Sequence, residues 1–155
     1  EDGGINVEGL CWYAKKNLLM MGFRTPLIKG RPFILPIRLK KPSGNWSLNN
    51  LEILPLIILA VENEQGIRTL SYDSKRREFF VVVGNATSSS KAPFHLYSWN
   101  GNLKGSVRHI DNVLFHRKMK VEGMTYGTVK GRGALIFVDD GGGYQILWDD
   151  DPRLS

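Results

Sequence analysis

One cysteine in 155 residues, Cys11, excludes an intrachain disulfide and a zinc site built from cysteines. Set inside a strand-like run, it reads as a small buried hydrophobe rather than a reactive thiol. Long apolar runs are missing too. The longest stretch, Leu51 to Val61, carries Glu52 and Pro55 and is far short of the roughly 20 residues a membrane helix needs. Apolar spacing of 3, 4 and 7 is nowhere sustained, which removes helical architectures and leaves an all-β fold class. No apolar signal region is present, and the chain opens Glu1-Asp2-Gly3-Gly4 without an initiator Met. It therefore reads as a piece of a longer product, with any export signal upstream. His95, His109 and His116 show neither HxxxH nor HExxH spacing, which argues against a histidine-based zinc site. There is no GxSxG elbow, and Gly127–Gly133 lacks the GK[ST] ending of a phosphate loop.

Charge is what the chain has in excess: the formal net charge is +6 and the pI near 9.6. That balance invites a nucleic-acid reading, so its distribution matters. The basic residues fall in short clusters, Arg38-Lys40-Lys41, Lys75-Arg76-Arg77 and Arg117-Lys118-Lys120, each at a turn or just before a strand. Scattered solvated turns explain them, and no aromatic-studded basic strand accompanies them. Nucleic acid is not the expected partner.

The most informative positive feature is an internal echo. Ile5-Asn6-Val7-Glu8-Gly9-Leu10-Cys11-Trp12 is followed by Gly66-Ile67-Arg68-Thr69-Leu70-Ser71-Tyr72 and then by Lys120-Val121-Glu122-Gly123-Met124-Thr125-Tyr126. Aligned on Val7, Ile67 and Val121, the copies lie 60 and 54 residues apart. Repeats of this length made of short strands point to propeller blades rather than helical arrays. The expected architecture is three four-stranded antiparallel blades at roughly 5–61, 67–115 and 121–150, within a single partial domain over 1–155. Three blades make an arc with an apolar face at each end, and half of a six-bladed ring is the simplest closure. The missing blades would come from an upstream segment or from a second copy in a homodimer.

Along the chain, strands are expected at Ile5–Tyr13, Leu18–Phe23 and Phe33–Leu39, the last with Pro36 implying an edge or a bulge. Leu51–Val61 supplies an outermost strand or strands. Further strands are expected at Ile67–Tyr72, Glu78–Val83 and Phe94–Trp99, with Asn100-Gly101 as the strongest hairpin signal. Val121–Tyr126, Ala134–Val138 and Tyr144–Trp148 complete the set.

The repeat places Glu8, Arg68 and Glu122 at one equivalent position. Alternation puts Glu8 on the face of Leu10 and Trp12, and Glu122 on that of Met124 and Tyr126. A carboxylate on an otherwise apolar face is costly unless paired or bound to a cation. Two readings follow. In one, Arg68 answers both glutamates as a structural ion-pair set. In the other, Glu8 and Glu122 hold a hard cation such as Ca²⁺, with Asp139 and Asp140 as helpers. Arg24, in Gly22-Phe23-Arg24-Thr25-Pro26-Leu27, is either a loop-pinning donor or an anion-binding arginine. Asp139-Asp140-Gly141-Gly142-Gly143 lacks the spacing and distal Glu of a calcium loop and reads as a hairpin turn.

In combination, Val7-Glu8-Gly9-Leu10, Gly22–Leu27, Gly66-Ile67-Arg68-Thr69-Leu70, Val121-Glu122-Gly123-Met124 and Asp139–Gly142 resemble the C-terminal half of a bacterial propeller family catalogued as a domain of unknown function. More remotely, the Glu-Gly-Leu strand is similar to those of phytase-like esterases and metal-dependent lactonase propellers. There the equivalent glutamate can bind metal, which would map to Glu8 and Glu122; Arg68 departs from that pattern. The resemblance implies a fold and no established activity. The expected role is binding of a ligand or partner at the axial mouth, with Arg24 and Arg68 as ligand contacts. The alternative is a metal-dependent hydrolase of phosphate or carboxylic esters using Ca²⁺. A soluble bacterial protein, with no membrane segment, is the expected setting.

Overall fold

A computed structural model of the chain describes residues 4–62, 64–87, 93–113, 115 and 119–154. Among the described residues, twelve strands form three separate antiparallel sheets. The first holds β1 (Asn6–Tyr13), β2 (Leu18–Thr25), β3 (Phe33–Leu39) and β4 (Leu51–Ile53) in order, with β5 (Ile57–Ile58) also paired to β3. The second runs β6 (Gln65–Asp73), β7 (Glu78–Asn85), β8 (His95–Trp99) and β9 (Arg108–His109). The third has only β10 (Val121–Val129), β11 (Arg132–Asp139) and β12 (Tyr144–Trp148).

The all-β expectation stands; the propeller does not. The sheets have five, four and three strands instead of a repeated four, and none closes into a ring or curls as a propeller blade. No ladder joins one sheet to the next among the described residues. A sequence repeat specifies a local strand pair, while closure depends on how whole sheets meet, which the repeat does not encode.

The middle sheet is covered on both faces, and β7 shows why. Its run Phe79-Phe80-Val81-Val82-Val83 has no polar alternation, as a strand buried on two sides requires. Phe79, Val81 and Val83 join Leu18, Met20, Ile34 and Leu59 of the first unit in one core. Phe80 and Val82 face the other way, into a second core with Val121, Leu135, Phe137 and Leu147 of the third sheet. Each such side chain contributes about 1.5–3 kcal/mol when fully buried. Cys11 lies half-buried against the first core, and burial pushes its thiol up to about 11, so it stays protonated at neutral pH.

Glycine sets how closely the first two sheets approach. Gly9 and Gly22 are cross-strand partners, and a Cβ on either would fall within 2.8 Å of the Ile67 Cγ2 methyl. The aliphatic side chain of β6 therefore sits directly on bare backbone of β1 and β2.

Two local expectations change. Pro36 lies in β3, which is interior, flanked by β2 on one side and by β4 and β5 on the other. It is tolerated because the outer ladder is interrupted there: β4 pairs with residues 37–39 and β5 with residues 33–34, leaving the proline opposite the break around Pro55. Asn100-Gly101 does not form a two-residue hairpin. It opens a connection over 100–107 that is pinned by the Trp99 Nε1 donation to Asn102 O at 3.0 Å.

Candidate functional site

Glu8, Arg68 and Glu122 share more than an alignment column. Each sits at a register shift of its strand pair, between Val7 and Gly9 in β1, between Ile67 and Thr69 in β6, and between Val121 and Gly123 in β10. In every case two residues oppose one on the partner strand, which defines a β-bulge. Alternation counted straight through these positions, as the sequence reading did, fails because a bulge inserts an extra residue. The bulges re-aim the three side chains into one neighbourhood where β1 and β10 flank β6.

Arg68 occupies the centre and is 5% exposed. Its Nη1 lies 3.0 Å from Glu8 Oε2, close enough for charge attraction though not aligned as a hydrogen bond, and its Nη2 pairs with Glu122 Oε1. The guanidinium also lies over the Phe94 ring, 5.8 Å from its centroid. Arg24, near the end of β2, donates from Nη1 to Glu8 Oε1 at 2.9 Å and from Nε to the carbonyls of Asn85 and Ala86 at 3.0 and 3.1 Å. Asn6 Nδ2 adds a further bond to Glu8 Oε1 at 3.1 Å. One arginine thus touches all three sheets, and a second ties the first sheet to the end of β7.

A cleft of about 290 Å³ opens over this cluster. Arg24, Arg68, Asn85, Phe94, Lys120 and Glu122 line it, together with Thr87 and Asp140. Asn85, Phe94, Thr87 and Lys120 were not singled out from the sequence. Lys120 had a signal, opening the third repeat; the others come from the end of β7 and the start of β8 and carry none. Two atoms of the lining residues are buried without a hydrogen-bond partner, Arg68 Nε and Asn85 Oδ1. Asp139 does not join the cleft. Its Oδ1 accepts from Gly143 N at 2.6 Å, holding the 139–143 hairpin turn.

The metal reading is corrected here. Among the described residues no group of three or more His, Cys, Asp or Glu side chains converges as an ion site. The arginine between Glu8 and Glu122 occupies the position a cation would take, so the metal-dependent hydrolase reading and its likeness to phytase-like esterases and lactonases fall away. The axial mouth goes with the ring. His116, Arg117 and Lys118 lie outside the described residues. His95 and His109, unremarkable in sequence, meet across β8 and β9 with Nδ1 and Nε2 3.2 Å apart, and Asp111 Oδ1 is 2.7 Å from His109 Nδ1. Burial, then the neighbouring His109, hold His95 below the usual histidine range.

Four side chains of the first two basic clusters have partners within the fold. Arg38 pairs with Glu52 at 3.0 Å, and Lys40 Nζ donates to Asn49 O at 3.2 Å. Lys75 Nζ donates to Asp149 Oδ2 at 2.6 Å, Arg76 Nη1 reaches Asp149 Oδ1, and Tyr126 Oη donates to Oδ2 at 3.0 Å. Arg76 also binds the fully buried Asp73 at 2.9 Å. This is a second charged tie between the middle and third sheets, at the far ends of β6 and β10.

Hydrogen bonds from Lys75, then Arg76, hold the Asp149 carboxyl down at about 2. A depressed folded value means that its stabilisation is fully present above the unfolded value of about 4 and is lost as pH falls from there towards 2. Asp149→Ala is expected to cost about 2 kcal/mol at pH 7 by urea unfolding. The gap to the parent protein should then close between about pH 4 and pH 2. A gap that is constant over this window would show that the carboxylate is not held by these donors.

No helix among the described residues is long and apolar enough to cross a membrane. No curated protein matches the chain. A family described as "Protein of unknown function (DUF3616)" matches residues 1–147. The match runs over nearly the whole chain and brings no half-domain division, so the reading as the C-terminal half of a propeller is withdrawn. The chain belongs to the DUF3616 family.

Proposed function

We propose that this domain binds a small organic anion carrying a hydroxyl group in the cleft above Arg68. The observation that carries this reading is the pair of unmet polar atoms on residues of one cleft, the donor Arg68 Nε and the acceptor Asn85 Oδ1. A buried polar atom without a partner costs about 1–3 kcal/mol, and a hydroxyl, which both accepts and donates, has the chemistry to meet either. Arg24 and Arg68 are already paired with Glu8 and Glu122, while Lys120 has no acidic partner among the described residues, which makes it the group at the cleft to meet a carboxylate or phosphate. Glu8 lies outside the lining, where it holds both arginines in place. A soluble bacterial setting belongs to the same proposal.

Calorimetric titration with malate and succinate tests it, because the two differ by a hydroxyl. Malate is expected to bind at least about tenfold more tightly, a difference of about 1.4 kcal/mol. Lys120→Ala, at an exposed position, should weaken malate by about tenfold without changing the melting behaviour. Equal affinity for the two acids, or no heat from either at about 10 mM (a Kd weaker than about 3 kcal/mol of binding), would refute the proposal.

A further inference from the structure

A second cleft, of about 370 Å³, shares no lining residue with the first. It lies between the first sheet and the β7–β8 end of the second, walled by Leu18, Met20, Leu56, Phe79 and Leu103. Leu18, Met20 and Phe79 form its buried floor, while Leu56 and Leu103 stand exposed at 46% and 83%. Exposed aliphatic side chains bordering an apolar hollow are the surface that a ligand's hydrocarbon part covers.

The remaining lining gives the ligand its sign. Lys16 and Arg38 are both exposed and both border the cleft. The Lys16 ammonium lies 5.7 Å from the Tyr13 ring centroid and has no acidic partner among the described residues. Arg38 shares its charge with Glu52 in a half-exposed pair. A lysine free to pair beside an apolar hollow matches an anionic head on an apolar body, and it disfavours a cationic head.

From this we infer a site for an amphipathic carboxylate, its chain on Met20 and Phe79 and its head at Lys16. At roughly 30 Å³ per water-sized group, the cleft takes on the order of a dozen heavy atoms, about the size of decanoate.

The test is calorimetry of the whole chain with decanoate, decanol and decyltrimethylammonium, each below its aggregation concentration. Saturable binding of one decanoate per chain is expected, with decanol about tenfold weaker and the cationic probe weaker still. Leu56→Trp fills the exposed mouth and should abolish decanoate binding while the thermal transition is retained. Lys16→Glu should reverse the preference between the anionic and cationic probes. Equal binding of decanoate and decanol would overturn the inference, as would an unchanged decanoate affinity in a folded Leu56→Trp variant. Malate is the control: decanoate binding that malate displaces would place it in the other cleft and overturn this assignment as well.

Discussion

Arg68→Ala is expected to lower the unfolding free energy by about 3–5 kcal/mol, a large share of the total of about 5–15 kcal/mol that holds a typical domain folded. The side chain is 5% exposed and stands between two carboxylates on different sheets. Its removal leaves Glu8 and Glu122 facing each other with the bridging charge gone. Glu8 keeps Arg24 at 2.9 Å, which is why the loss stays at this level rather than rising further. Arg68→Lys restores the charge but not the planar fork that reaches two carboxylates at once, so it should recover part of the loss. Urea unfolding with an unchanged slope measures both variants. A loss below about 1 kcal/mol for Arg68→Ala would place the pair with exposed surface bridges and remove it as the link between the sheets.

Gly22→Ala is expected to cost about 2 kcal/mol, for a reason unrelated to charge. The added Cβ would stand 2.7 Å from Ile67 Cγ2 and 3.2 Å from its Cδ1. Ile67 is fully buried in the first core, so the methyl has nowhere to retreat without moving β6 against β1 and β2. The interpretation is checked by making the same change in an Ile67→Ala background. That background is itself costly, by about 2–5 kcal/mol, because it opens a cavity. There the extra methyl should be neutral or stabilising, since it enters the space the isoleucine leaves. Additive losses would mean that the glycine is needed for its backbone rather than for the approach of Ile67.

Much of the local structure was legible in the residues. Phe33–Leu39 and Tyr144–Trp148 are strands with the expected limits, and Glu78–Val83 lies within β7. The repeat was also real, down to the position where each inner strand is irregular. What it could not convey is assembly. A bulge depends on the partner strand as much as on its own sequence: Glu8-Gly9 and Glu122-Gly123 share a dipeptide, yet Arg68-Thr69 forms the same irregularity without it. The number of strands per sheet and the absence of closure likewise arise from contacts between distant segments, so a propeller drawn from periodicity alone overreached.

The candidate site divides along the same line. The acidic and basic residues of the repeat could be named in advance because they stand in a column. Asn85 and Phe94 could not, since they reach the cleft from strand ends whose positions follow from tertiary packing, whereas Lys120 stands in the third copy itself. The Asp149 tie was hidden for a related reason. Lys75 and Arg76 look like a solvated turn in sequence, and the carboxylate that engages both of them, Asp149, comes from the third unit more than 70 residues away.

Bulges in separate sheets bring Arg68 and Glu122 into direct contact across 54 residues of sequence. A double-mutant cycle joining Arg68→Ala and Glu122→Gln, read by urea unfolding, measures that contact. The coupling should lie between about 1 and 3 kcal/mol, whereas losses that add within about 0.5 kcal/mol would show that the two side chains do not meet.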